Sequence, residues 1–289
     1  MQKKDAYQVI TDRICELLEK GEIPWQRPWN SGNDFPKNLA SKKEYRGINP
    51  FMLASMRYTS PYWLTFKQAK DLGGGIKAGE KGTPVVFWKW IEREDESTGE
   101  VNKIPFLRYY TVFNLTQTVG IPEDKIPALD EETREFNPIE EAEKIVANMQ
   151  RRPEIQNIES RAYYRPSQDL VNMPKKELFK SDEEYYSTLF HELTHSTGHE
   201  NRLNRKGIGE LQGFGSHSYS KEELCAEFGS AFLCGESGIV ERVIENSAGY
   251  IQGWLKRLRS DKKFLVQAAS QGQKAADFIL NKNREVGVV

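Results

Sequence analysis

Three of the four histidines in this 289-residue chain lie within one short stretch, His191-Glu-Leu-Thr-His195-Ser-Thr-Gly-His199, and the fourth is His217. On a helix, residues four apart share a face, so His191 and His195 can present two ring nitrogens to one ion. Glu192, one position on, can reach a water at that ion without ligating it. This H-E-x-x-H spacing is the pattern of zinc peptidases, in which Zn2+ lowers the pKa of water and the glutamate takes its proton. The pattern also arises by accident on charged helices. Here it follows an apolar turn, precedes Gly198 and draws on a very small histidine pool, which favours a metal.

A catalytic zinc usually takes three protein ligands. A metzincin would place the third at position 201, which is Asn201. His199 lies beyond Gly198, which reads as a helix stop, so a capping or substrate-side role suits it better than ligation. The stretch SYSKEELCAEFGSAFL offers a carboxylate instead. Its residues 223–234 are apolar or small nearly all round a helix, except for a strip carrying Glu223, Glu227 and Ser230. Carboxylates on such a helix need partners. Glu223 as third ligand, with Glu227 supporting a histidine, meets that need. Ser220 and Glu223 also fit a capping box, which would leave Glu227 as the ligand. His217 and Tyr219 are weaker candidates for stabilising an oxyanion. The segment 167–174 reads either as a strand edge beside the metal, able to bind substrate by β-augmentation, or as an ordinary core strand.

These residues need elements to hold them. DEEYYSTLFHELTHSTG (182–198) has helical spacing, and a second helix is expected to begin at Ser220. PIEEAEKIVANMQ reads as a helix, 161–174 as a strand or hairpin, and the residues from Gly249 onward as one or two further helices. In the first half, Val9, Ile10, Ile14, Leu17 and Leu18 mark an amphipathic opening helix. A Pro/Trp loop, a short helix ending near Tyr58 and a helical WLTFKQAKDLGGG follow, then two strands at 83–92 and 106–115 joined by a charged loop. Residues 120–138 are proline-rich and acidic, as a linker would be. The expected fold is α+β in two domains: an aromatic-rich α+β domain over 1–122, a linker over 123–137, and a mainly helical domain with a small sheet over 138–289. The glycine-rich GGGIKAGEKGT fails the phosphate-loop pattern, since Glu80 follows Gly79 and Gly82 follows Lys81.

With 38% hydrophobic and 29% charged residues, the composition is that of a globular protein. No apolar run has the length of a membrane span, and the N-terminus lacks an apolar leader core. Cys15, Cys225 and Cys234 are odd in number and widely spaced, which argues against a disulfide framework or cysteine zinc site and fits a cytoplasmic location. Residues 1–120 carry 18 Lys and Arg against 14 Asp and Glu, a mild excess that suits a polyanion partner.

Taken in order, YRGINPFML, WLTFKQA, IKAGEKGTPVVFWKW, YYTVFNLTQ, YYSTLFHELTHSTGHENRLNR and YSKEELCAEFGSAFL resemble the ArdC family of plasmid antirestriction proteins. The resemblance implies an N-terminal domain that binds single-stranded DNA and a C-terminal zincin-like metallopeptidase domain, which together protect incoming conjugative DNA from restriction. It makes His191 and His195 ligands, Glu192 the base and the E-E-L-x-A-E segment the source of the acidic ligand; His217 is not part of the pattern. The expected partners are single-stranded DNA and an unidentified protein substrate, with no membrane. A second reading is a strand-coating protein whose metal is structural. Single strands are held by aromatic rings interleaved with cations. That combination singles out Trp25, Arg27, Trp29, Lys42, Lys43, Tyr45, Arg46, Trp88 and Lys89, beside Arg57/Tyr58, Trp90 and Arg108/Tyr109. Alternation along a strand requires one side of the 87–90 run to be buried.

Overall fold

The computed structural model of the chain describes residues 5–25, 35–94, 101–127, 137–205, 217–239 and 248–282. Asp5 accepts the Tyr7 N–H and caps α1 (Ala6–Glu19), burying Ile10, Ile14, Leu17 and Leu18 along one stripe. Next come β1 (Lys37–Asn38), α2 (Asn49–Ala54), β2 (Tyr62–Leu64), α3 (Phe66–Asp71), β3 (Gly75–Ile76), β4 (Thr83–Glu94), β5 (Val101–Asn114) and β6 (Thr118–Val119). One sheet has the order β1-β2-β5-β4, with β1 and β2 parallel and the other pairs antiparallel. Strands β3 and β6 form a separate pair.

Two expectations change here. Trp63 and Leu64 belong to a strand, because Thr65 and Gln68 form a reciprocal capping box that starts the helix only at Phe66. The β4–β5 ladder also continues to Glu94 paired with Val101, well into the expected loop. Its charged residues look like loop composition, but ladder bonds are made by backbone groups whatever the side chains carry.

The second half contains α4 (Pro138–Asn148), β7 (Glu154–Gln156), β8 (Tyr163–Arg165), β9 (Leu170–Asn172), α5 (Asp182–Ser196), α6 (His217–Ser237), α7 (Ala248–Ser260) and α8 (Phe264–Ile279). Its sheet has the order β7-β9-β8. The expected hairpin is therefore β8–β9, while the three-residue β7 was too short to carry a pattern. β9 is central and buried, paired on both sides. The 167–174 segment thus offers no free edge; the edges belong to β7 and β8.

Residues of both halves share one hydrophobic core. Trp25 is fully buried, with its ring 5.2 Å from Phe228 and 6.4 Å from Trp254. Phe51 packs 4.9 Å from Phe228 and 4.8 Å from Phe232. Polar ties cross the same boundary: Thr11 donates to the Lys262 carbonyl at 3.0 Å, and Arg46 pairs with Asp277. Of the expected linker, 128–136 lie outside the described residues, and Glu123–Lys125 form a short 3-10 turn.

The helix α6 is enclosed, as its apolar circumference requires: Leu224, Ala226, Phe228, Ala231 and Leu233 have no exposure. Two glycines allow this packing. A Cβ on Gly229 would lie 2.4 Å from the Thr194 methyl and 2.6 Å from its hydroxyl, and one on Gly272 would meet the backbone of α6 at 2.9 Å. Thr194 is short and β-branched and cannot swing aside. Gly229→Ala is therefore expected to cost about 1–3 kcal/mol in denaturant unfolding through overpacking, and to weaken metal binding because Thr194 adjoins His195. Unchanged stability would show that α5 and α6 can separate freely.

Candidate metal centre

Ser181 accepts the Glu184 N–H and caps α5, and Asp182, Glu183 and Glu184 in the first turn suit the positive end of the helix. Leu189, Phe190 and Leu193 enter the core, which fixes the rotation of the helix. His191 and His195 then face the N-terminal part of α6. Their Nε2 atoms are 3.1 Å apart. Each lies 3.6 Å from a different oxygen of Glu223. A tetrahedral ion with bonds of about 2.0–2.2 Å to nitrogen and oxygen separates its ligand atoms by roughly 3.4 Å, so these three donors have the spacing of one coordination sphere. They form the metal-competent group found among the described residues. Glu192, next to His191, is 8% exposed.

The two candidate carboxylates have different surroundings. α6 runs from His217, so Ser220 occupies a position within the helix and not the N-cap position that a capping box with Glu223 would need. Glu227 is a step further along, where its carboxylate accepts a hydrogen bond from the Tyr250 hydroxyl at 3.1 Å and burial raises its pKa. The residue facing the second nitrogen of His195 is Glu222, whose Oε1 is 3.5 Å from Nδ1. Burial alone would raise the pKa of Glu222, but His195 and Arg205 outweigh it and hold the carboxyl below its ordinary value. Glu222 was not expected, because it lies about 100° round the helix from Glu223 and its partner Arg205 is seventeen residues away across the 206–216 segment. The signal that could have flagged it is its position beside Glu223 on a helix with so few charges.

His199 stands apart from the cluster: its Nδ1 accepts the Asn201 N–H at 3.3 Å, a turn-forming role beyond the helix end. The backbones of His217 and Tyr219 open α6, and their side chains lie outside the described residues.

The aromatic and basic residues of the first half are dispersed. Trp25 and Tyr45 are 0% and 2% exposed and serve the core, which corrects the expectation of stacking faces there. Arg46 is engaged with Asp277. Lys42 and Lys43 are exposed, with the Lys42 Nζ 5.9 Å from the Tyr62 ring centre. Trp88 is half-buried with its ring edge-on to Tyr7. Lys89 occupies a β4 position opposite Phe106, with its side chain outside the described residues, as are Arg27 and Trp29 altogether. Exposed cation–ring pairs occur instead at Arg108 over Phe106, 5.3 Å from the ring centre, and Lys70 over Phe66, 5.1 Å away. Phe106 is 44% exposed and Phe66 51%.

Residues 140–271 match a family model described as a zincin-like metallopeptidase, and residues 4–113 match the N-terminal domain of anti-restriction factor ArdC. The metal-free crystal structure of the antirestriction ArdC protein from plasmid R388 is 41% identical and superposes with a TM-score of 0.75, covering 96% of this chain and 97% of that one. The chain belongs to the ArdC family. The Mn(II)-bound structure of R388 ArdC superposes equally well, with a TM-score of 0.75, 38% identity and coverage of 98% and 100%. An uncharacterized protein of Sinorhizobium fredii, y4eC, is 36% identical over 95% of this chain and 91% of its own length. Two Escherichia coli proteins named DNA primase TraC are 36% and 34% identical over 96% of this chain, which spans 27% and 20% of their lengths.

The carboxylates around His191 also bear on its protonation. Burial works against a charge on His191, but the nearby carboxylate of Glu223 and the charges of Glu227 and Glu192 prevail, raising its pKa from 6.5 to about 9. A raised pKa means that the protonated ring stabilises the metal-free fold fully below 6.5, and that this contribution fades as pH rises through about 9. Metal must displace the same proton, so apparent metal affinity in competition titrations should climb about tenfold per pH unit below about 9 and level off above it. A flat profile would show that no proton leaves the site when the metal binds in this range.

Proposed function

We propose that this chain is a zinc-dependent metallopeptidase coupled to single-stranded-DNA binding, acting in the cytoplasm to protect incoming conjugative DNA from restriction. The observation that supports the peptidase reading is the convergence of His191, His195 and Glu223 beside Glu192. A divalent ion held there would supply Lewis acidity. Glu192 takes a proton from the attacking water and returns it to the departing amine of an as yet unidentified protein substrate. Two imidazole nitrogens and one carboxylate suit zinc better than manganese, since nitrogen-rich sites follow the rising affinity order that leaves manganese weakest. The Mn(II)-bound R388 ArdC and the zincin-like match support a divalent metal in general.

Glu192→Gln keeps the three ligands and removes the base. The variant should retain its metal by elemental analysis, lose protein cleavage by at least a hundredfold, and fail to protect transferred DNA. If protection persists without cleavage, the alternative stands: a strand-coating protein in which the metal is structural. That alternative draws support from the packing of Trp25 and Phe51 on α6, which makes the helix bearing Glu223 part of the shared core.

The DNA-binding reading draws on the end of the β4–β5 ribbon where Phe106 and Arg108 are exposed, while Val85 and Tyr110 further along the same side pack toward the core around Trp63. Phe87, Phe106, Arg108 and Tyr110 share one side by alternation and register, with Phe87 and Tyr110 rings 5.1 Å apart. Base stacking on such rings contributes about 1–3 kcal/mol per base. Replacing Phe106 and Arg108 with alanine together should weaken binding of an oligothymidine at least tenfold in fluorescence anisotropy and flatten its salt dependence. Unaltered affinity would move the strand to another face.

A further inference from the structure

The loop after α5 folds back on the helix through Arg205. Its Nη2 donates to the Thr194 carbonyl at 2.9 Å, its Nη1 to the Thr197 hydroxyl, and its Nε to Glu222 Oε2 at 3.2 Å, while Nη2 also engages Glu222 Oε1. Arg205 is 7% exposed and Glu222 15%. The backbone holds the strap in place independently, with Leu203 N–H donating to the Thr197 carbonyl at 2.8 Å and Arg205 N–H to the Gly198 carbonyl at 3.0 Å. Both carboxylate oxygens of Glu222 are therefore fixed by a two-pronged guanidinium, and one of them is 3.5 Å from His195 Nδ1. The other ring nitrogen of His195 is the one that faces His191 and Glu223.

We infer that Glu222, clamped by Arg205, is the positioning carboxylate of His195. It takes the Nδ1–H and so leaves Nε2 as the lone-pair donor aimed at the metal. The inference rests on the metal reading above and deepens it. A neutral imidazole carries one N–H, and whichever nitrogen finds an acceptor keeps it; a fixed carboxylate on the Nδ1 side selects the tautomer and the ring orientation together. At His195 Nδ1 the carboxylate in place is that of Glu222, while Glu227, four residues from Glu223 on the same strip, accepts the Tyr250 hydroxyl. The arrangement also makes Arg205, and not only α5 and α6, a determinant of metal affinity.

The test uses the full chain and cobalt(II), whose visible spectrum reports ligand geometry. Two variants are compared with the unaltered protein: Glu222→Gln, and the double change Glu222→Gln with Arg205→Gln, which leaves no unpaired buried charge behind. Metal-free melting temperature reports folding. The expected result is a folded variant that binds cobalt about 10–100-fold more weakly, with an altered spectrum. A folded variant with affinity within threefold of the unaltered protein and the same spectrum overturns the assignment. Loss of folding in both variants also overturns it, by assigning the pair to the fold alone. Failure of the unaltered protein to take up cobalt would instead overturn the metal reading from which the inference starts.

Discussion

The contact between α5 and α6 is the constraint on which the site depends. Two imidazoles on one helix can supply two ligands, but the third comes from another helix, and only a close approach brings a short side chain such as Glu223 within 3.6 Å of both rings. Gly229 permits that approach by leaving room for Thr194. Gly272 does the same where α8 meets α6, so α5 and α8 both pack closely on the helix. Close packing of this kind transmits small displacements without absorbing them. The positions of the donor atoms are therefore as well defined as the core beneath them.

That core is shared. Trp25 and Phe51, residues of the first half, lie against Phe228 and Phe232 on the helix that carries Glu223. The two family models match separate stretches of sequence, yet the side chains of those stretches meet in one interior. Aromatic residues in the first half thus divide between two tasks. Some complete the core behind the metal centre, and others, such as Phe106 beneath Arg108, remain at the surface. Composition shows that aromatics are abundant there, but it does not separate these groups.

Charge around the histidines is arranged in layers. Glu223 meets both Nε2 atoms, Glu222 stands at Nδ1 of His195, and Glu227 lies deeper beside Tyr250. Several carboxylates so close together, with little solvent, favour a cation among them, and in the metal-free chain a proton on His191 answers part of that demand. Arg205 answers another part by neutralising Glu222. The site is thus built for positive charge before any ion arrives.

Sequence alone determined the local half of this protein. The spacing of His191 and His195 on a helix, the role open to Glu192, the exclusion of position 201 and the narrowing of the acidic candidates to Glu223 and Glu227 all follow from intervals within one turn or from residue types along one helix, where backbone geometry is fixed by periodicity. Apolar spacing placed α1 and α5 for the same reason. Tertiary structure decided what depends on separate segments meeting: Glu222 and Arg205 at His195, Trp25 and Tyr45 in the core, β9 at the centre of its sheet. None of these has a sequence period, because the distance that matters is across the packed interior and the chain between the partners carries no record of it.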